Sequence, residues 1–174
     1  GNNIVVHYMS SKVQAEQVVR EAKSFGVQAE SIKADLLNDN EVNGLITRAS
    51  ALIGSPLNIL VNNASIFEYD NIETASIESW NRHIGSNLKA PLFLMQEFSK
   101  QVIDVVIDSN GENVPQGNVV NIVDQRVLKK TPEFFTYSLA KMGLWSMTQT
   151  GAQALAPKIR VNAIAPGPTL KGHR

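Results

Sequence analysis

Apolar residues in this chain fall into two alternating patterns. Short, often β-branched runs, NIVVHY, VQAESIKAD, LNILVNN, GNVVNIV and IRVNAIAP, read as strands. Between them lie segments with apolar positions at helical spacing. Ser11 to Phe25 carries Val13, Val18, Val19 and Ala22 ahead of Gly26, and further helices are predicted over Asn40 to Ile53, Ile77 to Ile107 around Pro91, and Phe134 to Ala156. Strands that alternate with helices and are apolar on both faces predict an α/β fold, a doubly wound parallel sheet covered on both sides. No repeat and no linker-like tract divides residues 1–174, so a single domain is expected, with DSNGENVPQG read as a turn between helix and strand.

In such sheets ligands bind beyond the carboxyl ends of the strands. Polar residues gather there: Ser10 and Ser11 after IVVHYM, Asp35 after SIKA, NNAS after NILV, Asp124 after VVNIV, and Thr169 after NAIAPGP. Each alone is explained by capping or turn chemistry, but their shared place at one edge of a parallel sheet points to a site. Tyr137 and Lys141 stand four apart in a predicted helix and so share a face. An ammonium beside a phenol favours the phenolate and suits the pair to proton exchange, whereas a carboxylate at Asp124 would oppose it.

Composition narrows the function classes. Lys plus Arg and Asp plus Glu balance at 16 each, which leaves no global positive field for nucleic acid or an anionic membrane. There is no cysteine, and His7, His83 and His173 lie far apart in sequence, so a metal centre is not expected. No apolar run is long enough to span a bilayer, and the expectation is a cytoplasmic protein acting on a small molecule.

The set LVNNAS, GSN at 85 to 87, YSLAK and RVNAIAPG, in this order, resembles the short-chain dehydrogenase/reductase family over essentially the whole chain. The resemblance implies a Rossmann-like domain with NADP or NAD, in which Asn87, Tyr137 and Lys141 match the catalytic Asn, Tyr and Lys. It also implies cofactor contacts from Ser10, Ser11, Asp35 and Leu36, from Asn63, Ala64 and Ser65, from Tyr137 and Lys141, and from Pro166, Gly167 and Thr169. A homo-oligomer, dimer or tetramer, is implied as well. At position 124 most members carry serine. Asp124 in NIVDQR, with NNASIF in place of the usual NNAG, resembles the pteridine reductase branch. There the matching Asp helps to protonate a ring nitrogen, and an aromatic at the position of Phe67 stacks on the pterin.

HYMSSK has hydroxyls and Lys12 but no acid after the first strand, which favours NADPH over NADH. The family's Gly-rich loop is not present, and the chain is expected to lack the family's first strand and helix and its last helix and strand. The reading that follows is an NADPH-dependent reductase of a pterin-like C=N or a related small unsaturated substrate, with Tyr137 and Asp124 as proton donors. The alternatives are an NADP-dependent carbonyl or alcohol oxidoreductase and a non-catalytic dinucleotide-binding or sensing domain.

Overall fold

In the computed structural model, which describes residues 1–102 and 104–167, five parallel strands carry the architecture. In chain order the elements are β1 (Ile4–Tyr8), α1 (Lys12–Ser24), β2 (Ala29–Lys33), α2 (Asp39–Val42), α3 (Leu45–Ile53), β3 (Ile59–Asn62) and α4 (Ile77–Ile84). After a π-helical turn, Gly85–Lys89, come α5 (Ala90–Gln101), the hairpin β4 (Val106–Ile107) and β5 (Asn113–Val114), β6 (Gly117–Ile122), a 3-10 turn (Gln125–Val127), α6 (Phe135–Leu155) and β7 (Ile159–Ile164).

The parallel α/β class is as expected, but the strands form two sheets. β1 pairs with β2, placing Val6 opposite Ser31, while β3, β6 and β7 pair in that order, placing Asn62 opposite Asn121 and Asn121 opposite Ala163. Among the described residues nothing bridges β1 to β3, and Val61 on the open edge of β3 is 53% exposed. Helices α1 and α3 pack on the two-stranded sheet, α5 and α6 on the three-stranded one.

Two of the expected helices break, each for a visible reason. The one over Asn40 to Ile53 is interrupted where Asn43 is extended and Gly44 takes a left-handed φ of 75°, giving α2 and α3. The one over Ile77 to Ile107 widens at Gly85–Lys89 and ends at Gln101, and Val106 and Ile107 pair instead with the segment expected to be a plain turn. Pro91 has no N–H to donate back into the preceding turn, which relieves the regular helical bonding there. A Cβ on Gly85 would lie 2.8 Å from Leu37 Cδ2, so the widened turn also needs glycine to approach the residues after β2. The widening turns Asn87 inward, where it is 1% exposed.

The main core joins Leu45 and Ile46 of α3, Leu94, Met95 and Phe98 of α5, Val119 of β6 and Val161 of β7. On α1 the burial falls on Ala15 and Val19, while Val13 and Val18, read from sequence as part of the apolar face, stay exposed. A buried polar ladder ties the second sheet to α6: Asn62 Nδ2 donates to Asn121 Oδ1 at 2.8 Å, and Asn121 Nδ2 donates to Thr148 Oγ1 at 2.9 Å. Slipping either strand by one residue would leave these amides unpaired, so the ladder pins the register that delivers Asp124 to the sheet edge.

Candidate active site

Strand β6 ends at Ile122, and two residues on Asp124 caps the 3-10 turn, its Oδ1 accepting from the backbone N–H of Arg126 at 2.8 Å. The chain returns as α6, whose first turns carry Tyr137 and Lys141, both nearly buried. Tyr137 Oη donates to Asp124 Oδ2 at 2.9 Å. Lys141 Nζ donates to the carbonyl of Ile122 at 2.8 Å and stands 5.7 Å from the centre of the Tyr137 ring. Asn87 reaches the loop after β3, where its Oδ1 accepts from Ile66 N and its Nδ2 donates to Ile66 O, both at 2.8 Å. Of the four residues expected to be catalytic, Asp124, Tyr137 and Lys141 thus gather at the end of β6, and Asn87 fixes Ile66 in the loop after β3.

The electrostatics differ from the expectation that Lys141 lowers the pKa of Tyr137. Burial pushes the Tyr137 hydroxyl up, and the hydrogen bond and charge of Asp124 push it further; Arg126 and Ser65 oppose weakly. Burial also brings Lys141 down to about 8, with the Asp124 charge working the other way. The phenol is therefore held protonated and aimed at a carboxylate, and the lysine keeps its charge at neutral pH by a far smaller margin than a free lysine. The loss of hydration outweighs the favourable charge at each site.

Beneath this pair lies a buried network that sequence reasoning missed. Asp70, 2% exposed, accepts from the backbone N–H of Thr136 at 3.1 Å, from the Thr136 hydroxyl, and from Ser79 Oγ at 3.0 Å. Its own carbonyl accepts from Phe135 N at 3.3 Å, so one residue caps the helix that carries Tyr137. Burial acts against the Asp70 charge, but the Thr136 and Ser79 hydrogen bonds prevail and hold its pKa below the usual range. Thr136 Oγ1 also meets His83 Nδ1 at 2.7 Å, and Glu68 N donates to His83 Nε2 at 3.1 Å. Because Nε2 is an acceptor, Nδ1 carries the proton of a neutral ring, and burial lowers the pKa of His83 in keeping with that. From sequence His83 enters only as a possible metal ligand and Asp70 carries no reading; a Thr at the start of a helix is the one local signal.

Phe67 reaches the site and stays 53% exposed. It stacks on Phe134 with ring centres 4.3 Å apart and planes 9° from parallel, and Tyr137 meets its edge at 4.7 Å. Phe134 takes a left-handed φ of 54°, uncommon for a bulky residue, as it leads into α6. The Arg126 guanidinium lies over the pair, 4.9 Å from the Phe134 ring centre and 5.6 Å from that of Phe67.

A cleft of about 440 Å³ adjoins this region and is lined in part by Ser10, Ser11, Asp35, Leu36, Ala64 and Ser65. These residues come together from the ends of β1, β2 and β3, as expected of a cofactor site. Asn63, Pro166 and Gly167 do not line it, although β7 delivers the last two beside the end of β6, and Thr169 lies outside the described residues. Ser10 and Ser11 are exposed at the start of α1, Lys12 makes only an exposed 3.5 Å contact with Glu16, and no acid occupies the Ser10–Lys12 turn. Hydroxyls, a helix N-terminus and a loosely held ammonium fit a ribose bearing a phosphate. Asp35 is turned to its own backbone, accepting from Leu37 N at 2.9 Å. Among the described residues no group of His, Cys, Asp and Glu could hold a metal ion, and no helix is long and apolar enough to cross a membrane.

Known proteins place this arrangement. The family model described as short chain dehydrogenase matches residues 1–173. The chain is 31% identical over 168 residues to a 3-oxoacyl-(acyl-carrier-protein) reductase FabG of Staphylococcus epidermidis, covering 96% of the chain and 65% of the relative. The Staphylococcus aureus protein of the same description is 32% identical, with 96% of the chain and 64% of the relative covered. Among solved structures, FolM alternative dihydrofolate reductase 1 from Brucella canis, complexed with NADP, superposes with a TM-score of 0.87 at 41% identity, covering 97% of the chain and 64% of that protein. The chain therefore spans about two thirds of the length of these relatives.

Proposed function

We propose that this chain, which belongs to the short-chain dehydrogenase family, serves NADP-dependent reduction of a flat, pterin-like ring at a C=N bond. The observation that carries the reading is the 2.9 Å hydrogen bond from Tyr137 Oη to Asp124 Oδ2. It sets two proton-carrying groups in series, where a carbonyl reduction needs one. The aromatic surface of Phe67 and Phe134 beside them suits a planar substrate, and the likeness to FolM alternative dihydrofolate reductase complexed with NADP supports both the ring and the cofactor.

Bound NADPH would supply the hydride, with Ser10 and Ser11 at its ribose phosphate and Ala64 and Ser65 along the cleft. As the ring carbon took the hydride, the Asp124 carboxylate would pass to the ring nitrogen a proton drawn from the Tyr137 hydroxyl along the hydrogen bond they share, leaving the phenolate. Lys141 keeps a cation 5.7 Å from the phenol ring and compensates the charge left as the proton departs. Asn87 holds the Ser65–Ile66 backbone against the reacting face.

The similarity to FabG proteins favours a second reading, reduction of a carbonyl. There Tyr137 would turn its hydroxyl from Asp124 to the substrate oxygen. Homo-oligomerisation belongs to the proposal, because α4 and α5 expose Ile77, Trp80, Leu92 and Phe93; a monomeric mass at micromolar concentration would remove it.

Steady-state kinetics of the full-length protein, with dihydrobiopterin and a panel of ketones across pH 5 to 8, separates the readings. Asp124→Ser should depress pterin turnover by about 100-fold or more, because serine cannot supply an acidic proton, while retaining ketone turnover. Tyr137→Phe should lower both. Unchanged pterin turnover in Asp124→Ser at every pH defeats the pterin reading, and equal efficiency with NADPH and NADH defeats the cofactor preference.

A further inference from the structure

The donors of Arg126 are not used up by the site just described. Its backbone N–H is fixed on Asp124 Oδ1 at 2.8 Å, so the residue cannot drift from the carboxylate that begins its turn. Its side chain is 21% exposed, and Nε is buried without a hydrogen-bond partner. Among the described residues its one ionic contact, Nη1 to Asp124 Oδ2, is 3.5 Å long, well outside the roughly 2.7–2.9 Å of a strong charge-assisted bond. That oxygen is already engaged by Tyr137 at 2.9 Å, and the other carboxylate oxygen holds the Arg126 backbone. Both oxygens thus already have a partner, and the one that the guanidinium approaches stays 3.5 Å away.

The rings explain why the charge stays there. Arg126 rests across Phe134 and Phe67 at cation–π distances, which fixes the plane of the fork while leaving its hydrogen-bonding edge unsatisfied. A guanidinium offers five N–H donors and no acceptor, so whatever completes it must be an acceptor.

We propose that Arg126 is a specificity-determining residue, which binds an acceptor oxygen carried by the same flat ring whose unsaturated bond is reduced beside Tyr137. This rests on the reductase reading above, in its pterin or its ketone form. Geometry sets the reach. A reacting atom within hydrogen-bond distance of Tyr137 Oη, about 3 Å, lies about one ring width from a guanidinium that already touches the Tyr137 partner oxygen. A distant substituent would fall outside that reach, whereas an oxo group on the reacting ring, or peri to the reacting nitrogen on a ring fused to it, falls within it. Substrates so selected are cyclic amides or vinylogous amides fused to the C=N bond, or cyclic ketones with a second oxygen nearby.

The test compares full-length wild type, Arg126→Met and Arg126→Lys on two matched pairs. The first pair is a dihydropterin, which bears a ring oxo group, and 3,4-dihydroisoquinoline, a cyclic imine without one; the second is 1,3-cyclohexanedione and cyclohexanone. Arg126→Met should raise KM for the oxygen-bearing member about 10- to 100-fold more than for its partner, with kcat changing similarly for both, and Arg126→Lys should recover part of the difference. The ratio within a pair cancels effects transmitted through Asp124 or a loosened aromatic stack. Calorimetric Kd values for the same compounds apply the same criterion without turnover. If only the ketone pair is reduced, the pterin reading fails and Arg126 is judged on that pair alone. An equal loss for both members, or no binding of either oxygen-bearing compound by wild type, overturns the assignment.

Discussion

Lys141 offers a quantitative check on the electrostatics of the site. In the unfolded chain its ammonium titrates near its ordinary 10.5, and burial brings it to about 8 in the fold. Below pH 8 both states are charged, so the folded state bears the full cost of removing that charge from water. The interval of 2.5 units corresponds to about 3 kcal/mol. Between pH 8 and 10.5 the unfolded chain binds a proton that the folded chain does not, and stability therefore rises with pH. Tyr137 acts in the opposite sense, because its folded pKa lies above the ordinary 10 and its contribution is lost as pH rises beyond that value. The clean window is thus pH 8 to 10. Lys141→Met abolishes the lysine titration and leaves the Ile122 carbonyl without its 2.8 Å donor, which costs about 1–3 kcal/mol. At pH 7 the two effects nearly cancel, and the variant should lie within about 2 kcal/mol of wild type. By pH 10 wild type should have gained about 2–3 kcal/mol relative to the variant. Urea melts of both full-length proteins at four pH values from 7 to 10 measure the difference, in which titrations common to the two cancel. A difference that moves by less than about 0.5 kcal/mol over that range would refute the argument that desolvation governs Lys141.

Two further substitutions test the scaffold under the chemistry. Asp70→Asn places an amide N–H against the Thr136 and Ser79 hydroxyls and should lower stability at pH 7 by about 2–4 kcal/mol in urea melts; a loss under about 0.5 kcal/mol would show that Asp70 does not anchor α6. Asn87→Ala removes both bonds to the Ile66 backbone and should cost about 2 kcal/mol together with a fall in kcat/KM, so loss of stability at full kcat/KM would reduce Asn87 to a structural amide.

What sequence could show of this site was local or repeated. Tyr137 and Lys141 share a helix face by spacing alone, and Asp124 stands at a strand end because an apolar run stops there. The break at Gly85–Lys89 was half legible, since Pro91 was visible, but the approach of Leu37 to Gly85 comes from another element. Asp70 with Thr136, and Phe67 with Phe134, meet across more than 60 residues, and nothing at either end announces the other. Phe67 was expected to offer its face to a substrate; Phe134 stacks on one face of the ring, which remains 53% exposed.

The direction of the Tyr137 shift is the most instructive case, because the same three residues give opposite answers by two kinds of reasoning. Charges counted along the chain set one lysine against one aspartate and leave the outcome open. Burial is a property of the assembled neighbours, among them Phe67 packed on the phenol ring, His83 further off, and Asp124 on its hydroxyl. Burial penalises charge on Tyr137 and on Lys141 alike, raising one pKa and lowering the other until the two stand well apart. The phenol therefore keeps its proton at rest, and the departure of that proton needs a change in surroundings that favours the phenolate. Closing a flat substrate over Asp124 and Arg126 would make that change at the moment a proton is needed, which is why the acid that complicates the tyrosine belongs beside it.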